Sequence, residues 1–294
     1  MNYGVPYKGS KNKIAAEIIN LLPAAENFYD LFAGGCAVTH AAILSGKYRN
    51  ILANDLDGRG VQLFRDAVDG KYRNEKRWIS REEFMRLRDT DPYVALCWSF
   101  GNNMRDYMYS YELEPGKKLL HEMLFAGTPG ERYAAWRIFA KKHIYRVQER
   151  KNGYELQRLE SLERLQSLES LERLERLGSL EKLESAGDFT ISKLNYQDVQ
   201  IPADTVIYCD VPYSGKRTTD GGSTAYNSRT FDYDRFYDWC AEQTELTVIS
   251  EYSMPDGFVP IWQKEKTVNS CATQTTKAIE KLFIPEHQAG MWNE

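Results

Sequence analysis

Residues 27–55 constrain the fold of this chain more than any other stretch. Asn27-Phe28-Tyr29-Asp30-Leu31-Phe32 reads as a buried strand, Ala33-Gly34-Gly35-Cys36-Ala37 as a tight turn of small residues, and Val38-Thr39-His40-Ala41-Ala42-Ile43-Leu44 as the helix that follows. A second strand, Asn50-Ile51-Leu52-Ala53-Asn54, ends in Asp55. This is a βαβ unit, and it puts the chain in the α/β class. Glycines directly after a first strand let a ligand approach the backbone, and an acid about 20 residues later can accept hydrogen bonds from ribose hydroxyls. The spacing is not GxGxxG, which argues against a nicotinamide cofactor and leaves another nucleoside-containing one. The plainer alternative is a βαβ unit whose Asp55 caps a helix.

Two further segments carry chemistry. Val206-Ile207-Tyr208-Cys209-Asp210-Val211-Pro212-Tyr213 is an apolar run that ends in a carboxylate, a proline and an aromatic ring. At the carboxyl end of a strand, an acceptor and a flat ring can hold the amino group of a nucleobase while proline stiffens the loop. Near the amino terminus, a lysine-rich turn with a glycine runs into the helical spacing of Ile14–Leu22, which Ser10 or Asn12 can cap and Pro23 stops. A helix amino terminus favours an anion or a carboxylate.

In chain order, Tyr7-Lys8-Gly9-Ser10-Lys11, Asp30-Leu31-Phe32-Ala33-Gly34-Gly35 and Asp210-Val211-Pro212-Tyr213 resemble the motifs of Dam-type (D12 class, α group) DNA adenine-N6 methyltransferases. The resemblance covers roughly residues 3–110 and 189–284. It implies a Rossmann-like class I methyltransferase sheet with a mostly helical insertion. The cofactor would be S-adenosyl-L-methionine, the partner double-stranded DNA, and the acceptor N6 of a flipped-out adenine, with GATC the implied target. Tyr7, Lys11, Asp30, Phe32, Ala33, Gly34, Gly35, Asp55 and Asp210 would bind the cofactor. The catalytic tetrapeptide would be Asp210, Val211, Pro212 and Tyr213, in which Val211 replaces a family proline and removes some loop rigidity. On this reading residues 1–57 and 189–294 form the catalytic domain, and 58–188 the DNA-recognition insertion. The same tetrapeptide also suits cytosine N4, RNA adenine or a side-chain amide, and a non-catalytic DNA-binding or scaffold protein stays open.

The insertion has its own texture. Trp98-Ser99-Phe100-Gly101-Asn102-Asn103-Met104-Arg105-Asp106-Tyr107-Met108-Tyr109 is dense in amides and rings. Amides read adenine edges, arginine reads guanine or phosphate, and rings can fill the gap left by an extruded base. Ser99, Asn102, Asn103, Arg105 and Tyr107 are therefore candidate DNA contacts, set against an aromatic core segment that turns at Gly101. A helix is expected from about Glu131 to Arg150. From 156 to 183 leucine recurs at every third position without a slip. A coiled coil alternates steps of three and four, and a strict step of three drifts about 60° per repeat around an α-helix, so a helical insertion rather than a zipper is expected. It can serve as a partner surface, a DNA-facing extension or a neutral repeat expansion.

A net charge of −4 does not advertise nucleic-acid binding, although the clusters Lys71–Arg77 and Lys141–Arg146 can form local basic patches. Five scattered cysteines without a CxxC pair, and no apolar leader, point to reduced thiols in the cytoplasm. Four histidines without close spacing give no metal site. No stretch approaches ~18 apolar residues, so no membrane span is expected.

Overall fold

The computed structural model describes residues 2–139, 169–185, 188–212, 231–271 and 274–292. Tyr213, the Gly-, Ser- and Thr-rich stretch 214–229, the basic cluster 141–146 and the leucines from 156 to 168 lie outside the described residues. The chain begins with α1 (Ala15–Leu21), β1 (Ala25–Asp30), α2 (Ala37–Ser45) and β2 (Tyr48–Asn54). Six helices follow, namely α3 (Arg59–Val68), α4 (Arg81–Leu87), α5 (Pro92–Cys97), α6 (Glu114–Phe125), α7 (Pro129–Phe139) and α8 (Glu169–Leu180). The remainder is β3 (Phe189–Ser192), β4 (Thr205–Cys209), α9 (Tyr233–Glu242), β5 (Thr247–Glu251), β6 (Phe258–Cys271) and β7 (Gln274–Pro285). These elements divide into two compact units, one of Met1–Gly4, Ser10–Gln62 and Lys182–Glu294, the other of Val5–Gly9 and Leu63–Glu181.

The first unit is built on one seven-stranded sheet in the order β3-β2-β1-β4-β5-β7-β6. Strands β1 to β5 are parallel, and β7 runs antiparallel between β5 and β6. Every residue of β4 and of β5 is buried, as expected of strands covered on both faces. Helix α2 reads Ala-Val-Thr-His-Ala-Ala-Ile and is buried over all seven of these residues, so its small side chains allow close packing. It ends at Gly46 in the left-handed conformation that glycine adopts without strain. In the closing hairpin, Pro260 lies at a register shift of β6, where a residue without an N–H costs no ladder bond. The strand order reverses direction between β1 and β4, and in such sheets ligands bind outside the carboxyl ends of the strands at that point.

The expected cap of the first helix is not made. Ile14 occupies the N-cap without a side-chain bond, Ser10 Oγ accepts from Asn12 N at 3.3 Å, and Asn12 Oδ1 accepts from Tyr3 N at 2.6 Å. Both polar side chains are spent on ordering the turn before the helix.

The second unit is helical around an aromatic core in which Tyr93, Phe84 and Trp98 are fully buried. Helix α4 opens with a reciprocal capping box between Ser80 and Glu83, and α5 with Asp91 as N-cap and Pro92 in its first turn. The described end of the leucine tract is helical. Leu174, Leu177 and Leu180 are buried in α8, and Leu183 is buried in the 3₁₀ turn Glu181–Ser185 that follows. A 3₁₀ turn repeats every three residues, so the change of helix type halts the drift that a step of three suffers in an α-helix. Among the described residues, no helix is long and apolar enough to cross a membrane.

Candidate active site

At the end of β1 the backbone crosses from one neighbouring strand to the other. Leu31 N donates to Tyr208 O of β4 at 3.0 Å, and Ala33 N donates to Asn54 O of β2 at 2.9 Å. The chain then turns through Gly34 and Cys36, both left-handed (φ 48° and 57°), into α2. Asp55 Oδ2 accepts from Gly34 N at 2.9 Å and its Oδ1 from Asp57 N at 3.0 Å, so this carboxylate ties the glycine turn to the tip of β2. Burial raises its pKa, and these amide donors work against that. Gly4 seats against the same turn. A Cβ there would lie 2.2 Å from Gly35 O and 2.7 Å from Ala37 N, and its φ of +66° also favours glycine. The amide of Gly4 donates to His40 Nδ1 at 3.0 Å, which fixes the amino-terminal segment on α2.

Carboxyl groups gather at the carboxyl edge. Asp30 is 1% exposed and accepts from the Thr39 hydroxyl at 2.7 Å through Oδ2. Its Oδ1 is buried without a hydrogen-bond partner among the described residues. Burial pushes the Asp30 carboxyl up to about 7, with the Thr39 bond opposing and the charges of Asp210 and Asp55 adding to the rise. Lys11 Nζ lies 2.6 Å from Asp210 Oδ1 and 3.2 Å from Glu280 Oε1, and Ser250 Oγ also reaches Glu280 Oε1 at 3.2 Å. Burial works against the Lys11 ammonium, yet the two carboxylates outweigh it and hold its pKa above the ordinary range. Lys11 is therefore turned toward carboxylates.

The tetrapeptide begins directly after β4. Asp210 keeps a side chain that is 20% exposed, whereas Val211 is buried in a cluster with Leu31, Tyr196, Ile207 and Phe236. Pro212 O accepts from the Tyr233 hydroxyl at 2.6 Å. The rigidity that a second proline would supply is replaced by burial of the valine and by this bond from α9. Phe32 is half-buried and faces Tyr196, Phe231 and Phe236, with ring centroids 5.4 to 5.8 Å apart. Tyr7 is half-buried and belongs to the second unit.

In that unit the expected DNA contacts lie on one loop, closed by an isolated antiparallel bridge between Ser99 and Tyr107. All five are engaged within the protein, Asn103 also through Nδ2, which donates to Asp106 Oδ2 at 2.7 Å. Ser99 Oγ accepts from Met104 N at 3.0 Å, Asn102 Nδ2 donates to Leu96 O at 2.8 Å, and the Tyr107 hydroxyl donates to Ile79 O at 2.7 Å. Asn103 Oδ1 accepts from the amides of Arg105 and Asp106, both at 2.9 Å, and Arg105 stays exposed beside Asp106. Phe100 is 67% exposed at the same tip. In the cluster 71–77, Lys71, Arg73 and Arg77 each pair with an acid: Asp66, Glu181 and Glu75.

Four residues of this edge escape a reading of the sequence. Glu280 and Tyr233 come from distant elements, and only the folded sheet brings them to Lys11 and Pro212. Gly4 acts through close backbone approach and His40 through a ring nitrogen that accepts from the Gly4 amide, a pairing of distant positions that leaves no compositional trace. No curated protein matches the chain. The profile of the D12 class N6 adenine-specific DNA methyltransferases matches residues 7–238, a span that takes in the glycine turn, the 99–107 loop and the tetrapeptide. A parallel sheet with an antiparallel seventh strand, a ligand edge at its switch point and this match together show that the chain belongs to the D12 class N6 adenine-specific DNA methyltransferase family.

Proposed function

We propose that this enzyme transfers a methyl group from S-adenosyl-L-methionine to N6 of an adenine flipped out of double-stranded DNA, at the GATC target that the sequence resemblance implies. The observation that carries the reading is the 2.6 Å contact of Lys11 with Asp210, which fixes an ionised acceptor beside the glycine turn. The cofactor fits the residues present. Asp30, Asp55, Asp210 and Glu280 set four carboxyl groups against the one ammonium of Lys11, which suits a ligand of net positive charge. The unpartnered Asp30 Oδ1 is a buried acceptor for a cationic donor. When bound, S-adenosyl-L-methionine supplies an electrophilic methyl on a cationic leaving group. Gly34 and Gly35 admit the cofactor, Asp55 shapes the turn and meets the ribose, and Phe32 walls the apolar side. Tyr7, Lys11 and Ala33 complete the cofactor set.

On the acceptor side, the Asp210 carboxylate, held by Lys11 through Oδ1, accepts from the N6 amino group. The Val211 carbonyl takes the second N6 hydrogen and Tyr213 stacks on the base. Two acceptors in fixed positions localise the nitrogen lone pair toward the methyl group, and alignment of this kind supplies much of the rate. No strong base is needed before attack; the N6–methyl bond forms as the methyl–sulfur bond breaks and releases a neutral thioether, and the excess proton on N6 then passes to water. Flipping costs a few kcal/mol, which contacts from Asn103, Arg105 and the exposed Phe100 offset, with Ser99, Asn102 and Tyr107 shaping their loop. Residues 1–57 and 189–294 are then the catalytic part and 58–188 the recognition part.

The test is Asp210→Ala. Tritiated-methyl transfer should fall below detection while calorimetric affinity for the cofactor stays within a few-fold. Near wild-type turnover in that variant would sink the assignment. Long-read sequencing of DNA from cells expressing the protein reads the modified base and its sequence context together.

A further inference from the structure

The leucine tract has no part in the chemistry above, yet its one described helix reaches the recognition loop. From α8, Arg173 Nη1 lies 2.7 Å from Cys97 O, 3.0 Å from Ser99 O and 3.4 Å from Leu96 O. Leu96 and Cys97 are the last residues of α5, whose terminal carbonyls have no partner within the helix. A guanidinium at that position satisfies them and continues onto the first carbonyl of the loop. Leu174, Leu177 and Leu180 are buried, so the backbone that carries Arg173 is anchored.

The loop needs such a fastening. Its turn places Gly101, Asn102 and Met104 at φ 57°, 56° and 58°. For the two non-glycine residues this conformation is disfavoured, more so for Met104 than for Asn102. The loop's own bonds offset part of that cost. Phe100 N donates to Asp106 O at 2.8 Å, Met108 N to Trp98 O at 2.9 Å, and Met104 N to Ser99 Oγ. From outside, Arg173 holds the Ser99 end, and Arg88 Nη1, just past α4, donates to Arg105 O at the other.

We propose that Arg173 is a positioning residue for DNA recognition, through which the triplet-leucine tract fastens the 99–107 loop and presents Asn103 and Arg105 in one conformation. The inference rests on the reading of that loop as the DNA contact. The full-length enzyme would be compared as wild type, Arg173→Gln, Arg173→Lys and Arg105→Ala. Measured quantities are kcat, KM for DNA, the preference for the cognate site over sites altered by one base, and calorimetric cofactor affinity. Arg173→Gln should raise KM for DNA about tenfold and lower site preference about tenfold, with cofactor affinity within twofold of wild type. Arg173→Lys, which keeps the charge and its donors, should recover part of both losses, and it carries the test if the glutamine variant does not fold. Wild-type KM and site preference in Arg173→Gln, beside a defective Arg105→Ala, overturn the inference while the loop assignment stands. If Arg105→Ala changes neither quantity, the loop assignment fails and the inference falls with it.

Discussion

Asp30 shows one side chain serving two opposed demands. Its folded pKa of about 7 lies above its ordinary value of 3.8, so the neutral acid is the form that the fold prefers. The stability this contributes is complete below 3.8 and is lost as the pH rises through 7. Asp30→Asn should therefore raise the melting temperature at pH 8 by several degrees and have little effect at pH 4, as read by calorimetry at the two pH values. A cationic ligand demands the opposite, an ionised carboxylate. Cofactor affinity of the wild type should fall about tenfold per unit as the pH drops below 7, and this dependence should vanish in Asp30→Asn, which should bind weakly at every pH. Tyr233 offers a second test at this scale. Tyr233→Phe removes the donor to Pro212 O, a bond worth about 0.5–1.5 kcal/mol, and should lower kcat several-fold without altering cofactor affinity. An unchanged kcat in steady-state assays would show that burial of Val211 alone fixes the loop.

Among the elements, the turn between β1 and α2 is the most sensitive because two segments of backbone meet there. Gly4→Ala would drive a methyl group into Gly35 O and Ala37 N, and both are backbone atoms that yield only if the turn moves. Cofactor affinity should drop more than tenfold in calorimetry, with the DNA affinity of the loop intact. This turn, β1, β2 and β4 were legible in the sequence because β4 is a nearly continuous apolar run, β1 and β2 carry the apolar stretches Phe28-Tyr29 and Ile51-Leu52-Ala53, and small residues mark the turn. The cap at Ser10 or Asn12 was misread because both side chains find nearer partners in the turn itself. In the 99–107 loop the contact and core readings were equally open. The structure buries Ser99 and Tyr107, as the core reading expects, and leaves Arg105 and Phe100 exposed. The Lys11–Glu280 pair was illegible, since nothing local in β7 announces which residue will face a lysine 269 positions earlier.

For the molecule as a whole, the strand order has a consequence in time. Asn27 of β1 pairs with Asn50 on one side and with Thr205 on the other, and Ile51 of β2 pairs with Phe189. A ribosome adding about 5–20 residues per second needs roughly 8–30 s to pass from the first of these partners to the last. Throughout that interval β1 is a strand with one edge unfilled, a state open to pairing with another chain. Chains ending at residue 204 should accordingly be digested by protease as fast as unfolded protein, whereas full-length chains resist. Yield on expression should then rise when translation is slow enough for the helical segments to form and chaperones are abundant. The central position that gives β1 a ligand edge at the switch point also makes it the strand that waits longest for its second neighbour.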